Sequence, residues 1–152
     1  MRTRSLPTQS GFSLIEAMVS LVVISVGMIG IAALYGQGLG AGRTAMYRTQ
    51  AVNLASDMAD RIRVNRLGQA AYGGAAANNN CGPGGGVNCT PSQMAANDLF
   101  GWEAQVTAAL PNGQGTVQFA AGTPPSYTIQ VSWQEVGLGT VTHQIVIQVP
   151  PI

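Results

Sequence analysis

Lysine is absent from these 152 residues, charged side chains make up only 9%, and the formal net charge is +1. A chain so poor in cations has no basic face to follow a phosphate backbone, so nucleic acid is not an expected partner. Aromatic residues are sparse at 6% while glycine is plentiful, which points to a small, loop-rich head rather than a large packed enzyme. There is one histidine, His143, and one pair of cysteines, Cys81 and Cys89. With no second cysteine pair or histidine cluster nearby, the cysteines have no ligands to complete a zinc site, and neither a metal nor a cofactor is expected. They are separated by a flexible loop rather than arranged as Cys-x-x-Cys at a helix start, which speaks against a redox role. A Cys81–Cys89 disulfide is the expected arrangement, and it implies an oxidising compartment.

What the chain does have is one long apolar run. A polar segment carrying Arg2 and Arg4 stops at Gly11, and Gly11-Phe12-Ser13-Leu14-Ile15-Glu16 leads into Ala17 to Tyr35, which holds no charge. As a helix that run spans roughly 28 Å, close to the hydrocarbon thickness of a bilayer. A secretory signal peptide places its small-residue cleavage site after the apolar core. Here the processing-like junction, Ser10-Gly11 and then Phe12, lies before it, so the run is expected to stay with the mature chain. Ser20, Ser25, Gly27 and Gly30 let neighbouring helices approach closely, and the two serines can bond back to their own helix. Glu16 is the anomaly. An ionised group at bilayer depth costs ~3 kcal/mol on insertion scales, which marks it as functional with a partner to be found; the plain alternative is an acid favouring the start of the helix dipole. Arg2 and Arg4 on one side balance Arg43 and Arg48 on the other, so charge leaves the orientation open. The cysteine pair then places the C-terminal part outside the cytoplasm.

Gly11 to Glu16 resembles the class III leader junction of type IV pilins and pseudopilins. The resemblance implies cleavage by prepilin peptidase between Gly11 and Phe12 and N-methylation of Phe12. It also implies that Glu16 engages an N-terminal amine, commonly that of a neighbouring subunit. Gln50 to Asn65 resembles a segment of PilV-type minor pilins. That implies a single-pass inner-membrane protein with its head in the periplasm, later carried into a pilus at the cell surface. The implied partners are other minor pilins, the major pilin, prepilin peptidase, the inner-membrane assembly platform and membrane lipid, and the work is packing in pilus assembly or priming, not catalysis. A minor pseudopilin of a type II secretion system shares the leader and the acid. From another class comes a membrane-tethered periplasmic hydrolase or binding domain using His143 and Asp98.

Gly36, Gly38, Gly40 and Gly42 follow the run. Each interior glycine costs a helix about 1 kcal/mol relative to alanine, so a weak or bendable section of one long helix is predicted. From Arg43 the helical signal returns, with Tyr47, Ala51, Leu54, Met58 and Ile62 on one face, Asp57 and Arg61 spaced for a pair, and Gly68 as C-cap. Asp57 and Asp60 are read as a solvated, arginine-rich face rather than a catalytic acid pair. Thr90-Pro91-Ser92-Gln93 reads as a capping box opening a second helix with Ala95, Leu99, Trp102, Val106 and Ala109 inward. Three strands should follow, around 116–120, 127–133 and 141–149, with turns at 122–125 and 137–139. His143 falls at an inward register there and reads as a core or rim residue.

The expected division is a leader over 1–11, a membrane helix over 12–35, its amphipathic continuation over 36–68 and a head over 69–152. The expected class is α+β and pilin-like: a long N-terminal helix and a small head of one further helix packed on a three-stranded antiparallel sheet.

Overall fold

The computed structural model describes residues 11–82 and 88–150. Arg2, Arg4 and the centre of the Gly82-to-Gly86 loop lie outside the described residues. In order, the elements are α1 (Leu14–Val64), a 3-10 helix (Arg66–Gly73), α2 (Pro91–Ala109), β1 (Gln114–Ala120), β2 (Ser126–Glu135) and β3 (Gly139–Gln148). This is the expected α+β arrangement. The chain divides into two units, one ending at Gly42 and the other beginning at Arg43.

In the first unit every described residue is exposed. The helix continues through Gly36, Gly38, Gly40 and Gly42, and a Cβ added at any of them would have nothing within 4 Å. The serines behave as their spacing predicts: Ser20 Oγ donates to the Glu16 carbonyl at 2.8 Å and Ser25 Oγ to that of Leu21 at 2.7 Å. Both hydroxyls are thus satisfied within the helix.

In the second unit α1 buries Ala51, Ala55, Met58, Ala59 and Ile62, the expected stripe widened by two alanines. α2 begins as its sequence dictates. Thr90 Oγ1 accepts from the Gln93 amide, Gln93 Oε1 accepts from the Thr90 amide, and Pro91 fills the first turn, where its missing donor is harmless. Ala95, Leu99, Trp102 and Val106 turn inward. The chain reverses at Asn112, which takes φ 50, and at Gly113, where a Cβ would collide with the Val106 carbonyl.

The sheet has the order β1-β2-β3, antiparallel throughout, with Val117, Ile129 and Ile145 in one register and Phe119, Tyr127 and Ile147 in another. Central β2 buries Tyr127, Ile129, Val131 and Trp133 against the helices; Val141, His143, Ile145 and Ile147 of β3 share that inward side but stay half-buried. Gly137 and Gly139, at φ 84 and 76, make the left-handed turn between β2 and β3 that side-chain-bearing residues resist.

One boundary differs from expectation. The sequence places the end of the long helix at Gly68 as a C-cap, whereas α1 stops at Val64 and the chain winds on as the 3-10 helix, with Gln69 at φ 32. Gly68 serves close approach instead: a Cβ there would lie 2.7 Å from Asn65 Nδ2 and 3.0 Å from the Tyr72 ring. The tighter winding carries Tyr72 into the core, fully buried.

Candidate functional site

The start of α1 is built by its own backbone. The Ser13 carbonyl accepts from the amides of Glu16 at 3.1 Å and Ala17 at 3.2 Å, which closes the first turn and sets Glu16 within it. Negative charge there complements the unpaired amides of the helix start. Glu16 is exposed, and among the described residues no arginine lies within ion-pair distance of it. Phe12 is 87% exposed, and Leu14, Ile15, Met18, Val19, Leu21 and their successors to Leu39 follow it outward on all sides.

A helix that is apolar all round and buries none of its surface requires an apolar environment. The most apolar stretch has a mean hydropathy of 2.5, and by length and composition the helix can cross a membrane. Charge is concentrated at one carboxylate, a few residues from the Gly11–Phe12 bond. That arrangement suits packing against other apolar surfaces.

The cysteines are joined, with Cα atoms 5.8 Å apart. The chain approaching Cys81 is laid on α2: Asn97 Oδ1 accepts from the amides of Asn79 at 3.1 Å and Cys81 at 3.4 Å, and Ala77 N donates to the Ala96 carbonyl at 3.0 Å.

His143 and Asp98 are not brought together. His143 lines a cavity of about 430 Å³ with Arg48, Val52, Trp133, Val141 and Thr142. Asp98 lines a different one with Asp57, Asp60, Arg61, Val64, Asn65 and Met94, and accepts the Tyr72 hydroxyl at 2.7 Å. The hydrolase alternative therefore lacks its paired base and acid. Asp57 and Asp60 are each held by an arginine, Asp57 by Arg61 at 2.9 Å and Asp60 by Arg63 at 2.7 Å, the solvated face that the sequence predicts.

Two residues emerge that the sequence reading did not single out. Tyr72 is pushed to a high pKa chiefly by burial and further by its hydrogen bond to Asp98. Glu135 is a buried carboxylate, only 5% exposed, whose Oε1 accepts from Trp133 Nε1 at 3.0 Å and from Arg48 Nε at 3.4 Å. Its signal was parity: it continues the inward series Tyr127, Ile129, Val131, Trp133.

Comparison with protein-family models gives two matches laid end to end. Residues 6–32 match the prokaryotic N-terminal methylation motif, and residues 33–100 match the family described as type IV pilin Tt1218. No curated protein and no solved structure gives a significant match to the chain.

Proposed function

We propose that the chain is a type IV pilin, a reading supported by its matches to the N-terminal methylation motif and to the type IV pilin Tt1218 family, and that it works as a minor pilin of the PilV type. It is inserted in the inner membrane with its head in the periplasm and cut by prepilin peptidase between Gly11 and Phe12. The new amine of Phe12 is methylated, and the mature chain enters or primes a pilus through the assembly platform. The observation that carries this reading is the wholly exposed apolar stretch of α1 in the first unit, with Glu16 as the one acid of its first turn.

Cleavage supplies the missing half of the site. The exposed Phe12 amine is a cation that the uncut chain does not possess, and methylation leaves it charged. Within a bundle of apolar helices an isolated carboxylate or ammonium carries a desolvation penalty of several kcal/mol, which mutual attraction offsets when the two meet. A subunit whose Glu16 meets a neighbour's amine is thereby held at one axial register. The disulfide-closed head is left to pack against other minor pilins and the major pilin.

The intact mass of the protein recovered from membranes or sheared filaments tests the proposal. The expected species begins at Phe12, carries one methyl group and is two hydrogens lighter for the Cys81–Cys89 bond. A chain that still begins at Met1 overturns it.

A further inference from the structure

We propose that the free edge of β3 takes up an extended segment of a neighbouring pilus subunit as a fourth strand. That the neighbour is a pilus subunit rests on the reading above; the open edge itself does not. In the order β1-β2-β3 the last strand pairs only with β2, in a continuous register from Ser126↔Gln148 to Glu135↔Gly139. Alternate residues of an antiparallel strand turn both amide and carbonyl away from the strand they pair with. Along β3 none of those outward groups is hydrogen-bonded among the described residues.

The two outer strands are treated differently. The 3-10 helix packs against β1, where a Cβ added at Gly73 would lie 2.8 Å from Phe119 Cβ and 3.0 Å from the Phe119 amide nitrogen. Only β2 runs beside β3. Its ten residues include no proline, lysine, arginine or carboxylate, and its register has no bulge, so the features that ordinarily blunt an exposed edge are missing. Tyr127, Ile129, Val131 and Trp133 of β2 are fully buried, whereas Val141, His143, Ile145 and Ile147 on the same side of β3 are half-buried. The inward row is left open where a further strand would stand.

The cavity of about 430 Å³ described above lies at this edge. Its lining includes three consecutive residues, Val141, Thr142 and His143, and successive strand residues point to opposite faces, so the cavity meets β3 along its edge and not on one face alone. The other edge is held by β2. Val52 and Trp133 close the inner side, with Arg48, whose charge is paired with Glu135, adding its aliphatic stem. His143 Nε2 is buried without a hydrogen-bond partner. An extended chain matches both features, because its backbone continues the ladder while its alternate side chains turn inward and one of them reaches the cavity. The side chain that fits carries an amide, hydroxyl or carboxylate to meet His143 Nε2. A second copy of β3 offers inward only valine, isoleucine and another histidine, so a different segment is the better occupant.

Amide hydrogen exchange, read residue by residue, compares the processed full chain in detergent with the same chain in sheared filaments. In detergent, alternate amides of Gly139–Gln148 should exchange fast, the others being held by β2. In filaments that fast set should slow by at least about tenfold, while the amides of β1 keep their rates. His143→Leu keeps the half-buried row apolar and removes the unpartnered nitrogen, so the head should fold as the parent does while its content in filaments falls severalfold. A chain absent from filaments overturns the pilin reading and, with it, the neighbour assigned here. Filaments in which the outward β3 amides still exchange fast overturn strand addition alone. Outward amides that are already slow in detergent and quicken on dilution assign the edge to a second copy and overturn the neighbouring segment. Parental filament content of His143→Leu overturns the part given to His143 in choosing the segment.

Discussion

Trp102 Nε1 donates to the backbone carbonyl of Leu54 at 2.8 Å, so α2 is bonded to α1 through an indole that is wholly buried. The same ring lies over Gly115 of β1, where an added Cβ would run into it. One side chain therefore joins α1, α2 and the first strand.

Removing that side chain should be among the most damaging changes to the head. Trp102→Ala is expected to cost about 3–5 kcal/mol, the range for deleting a large buried ring, and Gly115→Ala about 1–3 kcal/mol from overpacking. Urea unfolding of the detergent-solubilised chain, followed by near-ultraviolet dichroism, measures both. A neutral Gly115→Ala would mean that the ring is free to slide away.

Tyr72 gives the head an alkaline limit. In the unfolded chain its phenol titrates near the ordinary value of 10.0; in the fold, burial first and Asp98 second hold the proton on to higher pH. Above pH 10 the folded state therefore binds more protons than the unfolded state, and stability falls as pH rises from there. Tyr127, raised by burial, acts in the same direction. Tyr72→Phe should lower stability at neutral pH by about 1.5–3 kcal/mol, the worth of a hydrogen bond to a charged acceptor, and should flatten the alkaline decline. An unchanged alkaline slope in that variant would contradict the assignment.

The disulfide and Asn97 brace the same stretch of chain. Reducing Cys81–Cys89, whose sequence separation is 8, should lower stability by roughly 2–3 kcal/mol in the chain-entropy account. Asn97→Ala strips an acceptor from two amides and should cost about 1–3 kcal/mol with the disulfide intact. Thermal unfolding with and without reductant checks both values. If the bond and Asn97 support one another, the two losses should fall short of adding.

Much of this arrangement was legible in the residues. The Tyr47-to-Ile62 stripe, the Thr90 capping box and the alternation of β2 and β3 are local patterns whose period is set by backbone geometry, and each lies where the pattern puts it. Tyr72 was not legible, because its burial depends on a 3-10 winding and a left-handed Gln69 that no periodicity announces. Gly68 looked like a helix stop because a glycine after an arginine-rich turn ordinarily is one; its actual demand is space beside Ala95, a residue distant in sequence. Glu135 followed the inward parity, yet a carboxylate near a strand end reads as solvent-facing until Arg48 and Trp133 are seen beside it.

The glycines at 36, 38, 40 and 42 are proposed to be a soft section of α1. Alanine at Gly38 and Gly40 meets no neighbour and should strengthen the helix by about 1 kcal/mol each. Amide hydrogen exchange across 36–42 should slow markedly in the double variant. Equal exchange in the parent and the variant would show that the section is already rigid.

Glu16 separates an assembly subunit from an ordinary anchored domain. Glu16→Gln keeps the size of the side chain and removes its charge, so insertion and cleavage after Gly11 should both persist. Insertion itself should become easier, since an ionised carboxylate at bilayer depth costs ~3 kcal/mol. Incorporation into sheared filaments should nevertheless fall at least about tenfold, which needs no more than ~1.4 kcal/mol of lost attraction to a neighbour's amine. Glu16→Ala should behave in the same way, because the missing element is the charge and not the shape. Quantifying the subunit in filaments against the processed pool in membranes decides the matter. If both variants reach filaments at the parental ratio, the carboxylate is only a favourable start to a helix, and its register-setting role is lost. If both remain processed but stay in the membrane, the pair made by cutting Gly11–Phe12 is what draws the subunit into the filament.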